Sequence, residues 1–142
     1  LAYQQLLFTA MRYGEPRSLD GDSHHAVTPK TAILCVTGIA QPAPYVEHLK
    51  QMTDQIDHIT FPDHHNYSDT DIKHILQEYD KISSTDKCIF TTEKDAVRLT
   101  LCDIPEEIRR QIFYIPIEPE FLTPRDQLIK NIYDYVRQDT RK

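Results

Sequence analysis

Thr31-Ala32-Ile33-Leu34-Cys35-Val36-Thr37-Gly38 decides the fold. From Ala32 to Val36 every side chain is apolar. A strand with one face in water alternates apolar and polar residues. An unbroken apolar run closed by Thr37-Gly38 predicts a strand buried on both faces, the condition of strands in parallel sheets. Parallel neighbours need a crossover, and one follows at once. Pro42 and Pro44 suit the first turn of a helix running to about Met52, with Tyr45, Val46, Leu49 and Met52 on one face.

Outward from this unit the pattern repeats. Ile56 to Phe61 reads as a second strand ended by Pro62. Ser68 with Asp71 predicts a capped helix start, and Ile72, Ile75, Leu76 and Tyr79 supply its buried stripe. Lys87 to Thr91 is a third strand, Thr92 with Asp95 opens another helix, and Gln111 to Ile117 is a fourth strand. A last helix is expected from Thr123-Pro124, with Asp126 at its cap and Leu128, Ile129, Ile132, Tyr133 and Val136 as its core face. On the other side, Gln5 to Tyr13 predicts a leading strand, broken by Gly14-Glu15-Pro16. Arg17 to Lys30 is rich in turn residues and reads as a mobile loop. The chain thus divides into a leading strand and mobile loop (1–30) and an α/β segment (31–142). The expected fold is a layered, mostly parallel sheet of four or five strands with flanking helices.

The chain has 142 residues, 39% hydrophobic and 27% charged, enough for one hydrophobic core. Its formal net charge of -6 gives no general attraction to a phosphate backbone, so nucleic acid is not an expected partner. Three cysteines at irregular spacing exclude a disulfide framework, and the absence of CxxC argues against a thiolate zinc site. Cys35 and Cys88 lie in apolar runs and read as buried thiols. No stretch is apolar and long enough to span a bilayer, so the segment is expected to be soluble. The opening Leu1 suggests a portion of something longer.

In open α/β sheets ligands gather at the carboxyl ends of the strands. That singles out three segments. Phe61-Pro62-Asp63-His64-His65-Asn66-Tyr67 carries two histidines and an acid, able to move a proton near neutral pH; a polar loop with Asp63 capping a turn is the plain alternative. Thr91-Thr92-Glu93-Lys94-Asp95 is either a solvated helix start or a device that holds a partner loop or sets Lys94 at an anion. Val36-Thr37-Gly38-Ile39-Ala40 offers a tight turn after a buried strand. His24 and His25 fall in the predicted loop, whereas His48, His58 and His74 fall on helix or strand patterns and read as surface or satisfied groups. No GxxxxGK[ST] occurs, so no backbone cradle for a triphosphate can be drawn.

Taken together, Val36 to Pro42, Phe61 to Tyr67 and Thr91 to Leu99 resemble, in order, the V-T-G-I-A-x-P, F-x-D-H-x-x-Y and T-T-E-K-D-A-V-x-L segments of the tetraacyldisaccharide 4'-kinases. Phe8-Thr9 to Gly14-Glu15-Pro16 resembles the preceding strand of that family, and the likeness runs from about Leu6 to the final helix. The resemblance implies the C-terminal portion of a P-loop-type kinase. Such a kinase uses ATP and Mg2+ to phosphorylate the 4'-hydroxyl of a tetraacylated glucosamine disaccharide 1-phosphate, the lipid A precursor. It implies work at the cytoplasmic face of the bacterial inner membrane, in a cleft shared with an N-terminal P-loop domain. On the matching positions His64 is implied to be catalytic, assisting a carboxylate of the other domain, with Asp63 orienting the loop. His65, Tyr67, Thr92, Glu93, Lys94 and Asp95 are implied to line or brace the cleft. No cofactor-binding group and no metal ligand is assigned to this segment, and without a phosphate loop it is expected to be inactive alone.

Two other classes stand beside this one. A non-catalytic α/β interaction or regulatory domain could share the scaffold. A manganese phosphoesterase built on Asp63-His64-His65 would need further aspartate motifs upstream. Asp20-Gly21-Asp22 has the spacing but the composition of a loop.

Overall fold

The computed structural model describes residues 7–122 and 125–139. They form two compact units. One is Gly14–Pro116; the other joins the described residues up to Tyr13 with those from Ile117 onward.

The larger unit holds a five-stranded sheet: β2 (Arg17–Ser18), β3 (Ala32–Thr37), β4 (Ile56–Thr60), β5 (Lys87–Thr92) and β6 (Ile112–Ile115), in the spatial order β2-β6-β5-β3-β4. β3 pairs in parallel with β4 and β5, and β5 with β6. β2 pairs antiparallel with β6, through Arg17↔Tyr114 and Ser18↔Phe113. The mostly parallel α/β sheet expected from the sequence is therefore present, with β3 at its centre and every residue of β3 buried. The crossovers are α1 (Ala43–Leu49), α2 (Asp69–Lys81) and α3 (Glu93–Leu99), with a short α4 (Glu106–Arg109) before β6.

Alternation along the strands sorts the core into two faces. Leu34, Val36, Ile89 and Ile112 join Ile72, Ile75 and Tyr79 of α2 and Leu99 of α3 in one cluster. Cys35 is level with Phe90 and Phe90 with Phe113, on the opposite face, where the two phenyl rings stack at 5.8 Å. α1 buries Tyr45 and Leu49, and the Tyr45 hydroxyl donates to the Thr91 carbonyl. Cys35 and Cys88 are buried and free, and burial pushes both thiols up to about 12.

Ser68 is the N-cap of α2 as its sequence predicts. Its hydroxyl accepts from the Asp71 N–H while the Asp71 carboxylate accepts from the Ser68 N–H. Two other readings change. Arg17–Ser18 is a strand, and the stretch after it makes side-chain contacts. Asp20 accepts from the backbone and hydroxyl of Ser23, which hold its carboxyl well below the usual range, and His25 Nε2 lies 2.9 Å from Asp86. Gln111 to Ile117 is not one strand. Pro116 has no N–H to continue a ladder; after it the chain leaves β6 and begins β7 (Ile117–Phe121), which pairs antiparallel with β1 (Thr9–Tyr13). The Pro116 carbonyl is kept in use by the Gly14 N–H at 2.8 Å.

The smaller unit consists of this β1–β7 ribbon and α5 (Arg125–Asp139). The expected start of α5 at Thr123-Pro124 lies outside the described residues, as do Gln5 and Leu6 of the leading strand. The predicted core face of α5 is not a core. Leu128 and Ile129 are half-buried, but Ile132, Tyr133 and Val136 are exposed. Periodicity marks an apolar stripe without saying that anything covers it, and a two-stranded ribbon carries too little apolar surface to cover a long helix.

Candidate functional site

Gly38, at the carboxyl end of the central strand, is where the three singled-out segments meet. Its carbonyl accepts from the His64 N–H at 3.1 Å, and its own N–H donates to Asp95 Oδ2 at 2.9 Å. A β-carbon at this position would come within 3.0 Å of Asp95 Oδ1, 3.2 Å of the Tyr67 hydroxyl and 3.4 Å of His65 Cβ. The closeness of these approaches is the reason the residue is glycine.

The Thr91–Asp95 turn is a buried polar brace. Thr91 Oγ1 donates to the Val36 carbonyl at 2.8 Å and so ties β5 to β3 beside Gly38. Thr92 caps α3, accepting from the Asp95 N–H, and its hydroxyl donates to Asp95 Oδ2 at 2.7 Å. Asp95 is completely buried, yet Gly38, Thr92 and Arg98 all donate to it, the last through Nη1 to Oδ1 at 2.9 Å. A buried carboxylate is tolerable only with such partners. Of the cleft residues expected here, Thr92 and Asp95 are therefore structural donors and acceptors at the base, whereas Glu93 and Lys94 stand exposed beside them.

The Phe61–Tyr67 loop is built differently. Phe61 N–H donates to the Thr37 carbonyl at 2.7 Å, which fastens the loop's start to β3. Adjacent histidines then part. His65 turns inward: its ring stacks on Phe61 at 4.7 Å, meets Tyr67 edge-on at 5.2 Å and sets Nε2 3.0 Å from Asp71 Oδ2. The Ser68 hydroxyl and N–H, followed by His65, hold the Asp71 carboxyl down at about 2. His64 turns outward with its side chain 69% exposed, on a backbone with φ of 59°, in the left-handed region that costs a non-glycine residue energy. Asp63 Oδ1 accepts from the His64 N–H at 3.0 Å, and its Oδ2 lies 3.6 Å from His64 Nε2. Tyr67 places its hydroxyl in the interior without a hydrogen bond of good geometry; burial first, and then the nearby Asp95 charge, raise its phenol well above the ordinary value.

Arg98 joins the two segments. One guanidinium nitrogen holds Asp95, and the other, Nη2, reaches His64 Nδ1 at 3.3 Å. The sequence reading passed over Arg98. A signal was available: it lies one helical turn after Asp95, the spacing at which an acid and a base meet on one face.

A strained, exposed imidazole held above a buried carboxylate by an arginine has the chemistry to donate or accept a proton or a hydrogen bond. Among the described residues no three His, Cys, Asp or Glu side chains converge. The described helices include none long and apolar enough to cross a membrane.

Comparison with known proteins gives this arrangement a family. The family model for tetraacyldisaccharide-1-P 4'-kinase matches residues 3–137. The chain belongs to the tetraacyldisaccharide-1-P 4'-kinase family. It is 40% identical to the tetraacyldisaccharide 4'-kinase of Bacteroides thetaiotaomicron, over 98% of this chain and 40% of that protein. It is 32% identical to that of Flavobacterium johnsoniae, over 96% of this chain and 37% of that protein. The crystal structure of LpxK from Aquifex aeolicus in complex with ATP superposes with a TM-score of 0.55 at 16% identity, covering 89% of this chain and 35% of that one. That likeness shows a shared fold. The chain spans about 40% of the length of these kinases.

Proposed function

We propose that this chain is the C-terminal part of an ATP-dependent kinase that phosphorylates the 4'-hydroxyl of the tetraacyldisaccharide 1-phosphate precursor of lipid A. The work is done at the cytoplasmic face of the bacterial inner membrane. The observation that carries the reading is the convergence at Gly38. Its carbonyl fixes the His64 backbone, its N–H is held by Asp95, and Arg98 links Asp95 to the His64 ring. A merely structural loop has no need of an exposed, left-handed histidine held in this way.

In this reading the sugar hydroxyl oxygen attacks the γ-phosphorus as the bond to ADP breaks, and its proton passes to a carboxylate supplied by the P-loop domain. His64 contacts and orients that carboxylate, Asp63 shapes the His64 turn, and Tyr67, His65, Thr92 and Asp95 hold the wall beneath. Exposed Glu93 and Lys94 face the cleft in which substrate lies. Positioning and electrostatics dominate phosphoryl transfer, so a rigid base under one exposed, held head is a suitable division of labour. The sequence provides no phosphate loop and the described residues no cation cage, and in this reading ATP and Mg2+ are held by the rest of the kinase and this chain alone is inactive.

The test uses the full-length kinase with ATP, Mg2+ and the disaccharide 1-phosphate. His64→Ala is expected to lower kcat about 100-fold with KM little changed, because the interaction develops in the transition state. An unchanged kcat removes His64 from the mechanism. Calorimetry with ATP and Mg2+ is expected to show binding by the full-length protein and none by these 142 residues; binding by the chain alone would refute the division of labour.

A further inference from the structure

His64 and His65 differ in what holds the ring, and the difference fixes a proton. The His64 Nδ1 partner is Arg98 Nη2 at 3.3 Å. A guanidinium carries five N–H donors, has no acceptor and keeps its charge at any ordinary pH. In this contact Nδ1 is therefore the acceptor, and the neutral imidazole must carry its hydrogen on Nε2. The groups facing the ring are Arg98 on the Nδ1 side and Asp63 on the Nε2 side, the latter at 3.6 Å. Asp95 lies behind Arg98, buried, with its carboxylate committed to Gly38, Thr92 and Arg98.

We propose that Arg98 is the positioning residue for His64: by holding Nδ1 as an acceptor it presents Nε2–H outward, so that His64 meets the reacting centre as a hydrogen-bond donor and does not itself take the sugar proton. The role in turnover rests on the kinase reading above; the tautomer does not. An outward N–H is suited to an anionic oxygen. It would hold one oxygen of the proton-accepting carboxylate and leave the other free to take the proton of the hydroxyl. Asp63 Oδ2 lies on this side at 3.6 Å, beyond hydrogen-bond reach, and leaves the Nε2–H free for another acceptor. The fork matters as much as the charge. Arg98 holds Asp95 with one nitrogen and His64 with another. A lysine ammonium is a single point and cannot occupy both directions at once. Because Asp95 is fixed by the Gly38 N–H, the orientation of Arg98, and through it of the imidazole, is referred to the end of the central strand.

The experiment is a two-bond proton–nitrogen NMR spectrum of this chain with 15N-labelled histidine, at a pH of about 8, above the ordinary histidine value of about 6.5. The His64 signals are identified by their loss in His64→Gln. The wild-type spectrum is expected to show the Nε2–H tautomer. Arg98→Lys keeps a cation beside Asp95 and is expected to give a mixture of both tautomers, and in the full-length kinase about a tenfold lower kcat at unchanged KM. A wild-type Nδ1–H tautomer, or a pattern that Arg98→Lys leaves unmoved, overturns the assignment. The wild-type reading does not depend on Arg98→Lys folding. The two readings fail separately. An unaltered kcat in His64→Ala sinks the catalytic role while leaving the tautomer intact, and an Nδ1–H spectrum sinks the role of Arg98 while leaving the kcat loss of His64→Ala intact.

Discussion

The turn Thr91–Asp95 and the loop Phe61–Tyr67 lie at the ends of the two strands that flank the central β3, and both are dense in polar and charged side chains. In the first, the acid goes to the interior and is saturated by donors: Asp95 is wholly buried with three partners. In the second, the polar head goes to solvent and the ring beside it is packed: His64 is exposed on strained backbone, while His65 is wedged between Phe61, Tyr67 and Asp71. One segment contributes stability and the other holds strain. Residues alike in chemistry acquire opposite duties from whether donors surround them or water does.

Four substitutions sharpen or break that contrast. The largest effect is expected from Asp95→Ala, which leaves the Gly38 N–H, the Thr92 hydroxyl and Arg98 without their common acceptor. Loss of one partner from a buried charged network costs roughly 3–5 kcal/mol, read as a lowered urea midpoint; a small change would mean that the brace is ornamental. Gly38→Ala comes next. Its methyl meets Asp95 Oδ1 at 3.0 Å and the Tyr67 hydroxyl at 3.2 Å. Overpacking of this kind costs about 1–3 kcal/mol, and full stability would show that the three segments yield easily. Ser68→Ala removes the α2 cap and is expected to cost about 1 kcal/mol. It also changes the acid limb. Asp71 is held at about 2, below its ordinary 3.8, so its contribution is complete above 3.8 and lost as pH falls through about 2. Acid titration of stability should lose part of that limb in Ser68→Ala, and an identical limb would reassign it to another carboxylate. The smallest effect belongs to His64→Gly. Relief of left-handed strain, roughly 1 kcal/mol, offsets the freedom that glycine adds to the unfolded chain. Thermal unfolding should stay within about 0.5 kcal/mol of wild type while turnover by the full-length kinase falls; a clear loss of stability would place His64 with the brace.

Much of the architecture was legible because its causes are local. The all-apolar run of β3, the prolines opening α1 and the Ser68–Asp71 box each act within a few residues. What was not legible depends on distant surface. The apolar stripe of α5 has the right period, yet Ile132, Tyr133 and Val136 stand exposed, because period does not specify a cover. Pro116 ends β6, but which strand β7 then joins is settled by β1, more than a hundred residues earlier in the chain. At the site, the three segments could be named from residue type and order. The division between His64 and His65 could not, since it depends on which ring finds Phe61 and Asp71. Arg98 was missed for the same reason: its meaning comes from two acceptors on different segments.

One feature of the sheet has a use beyond stability. Cys35 and Cys88 lie on adjoining strands in the interior with their thiols pushed up to about 12, whereas Cys102 is partly open to solvent. A maleimide added to the folded chain can modify Cys102 directly, but must wait for the centre of the sheet to part before it reaches the other two. The protein therefore carries two clocks of its own opening, one in β3 and one in β5. Their relative rates report whether the strands that carry the site part together or singly.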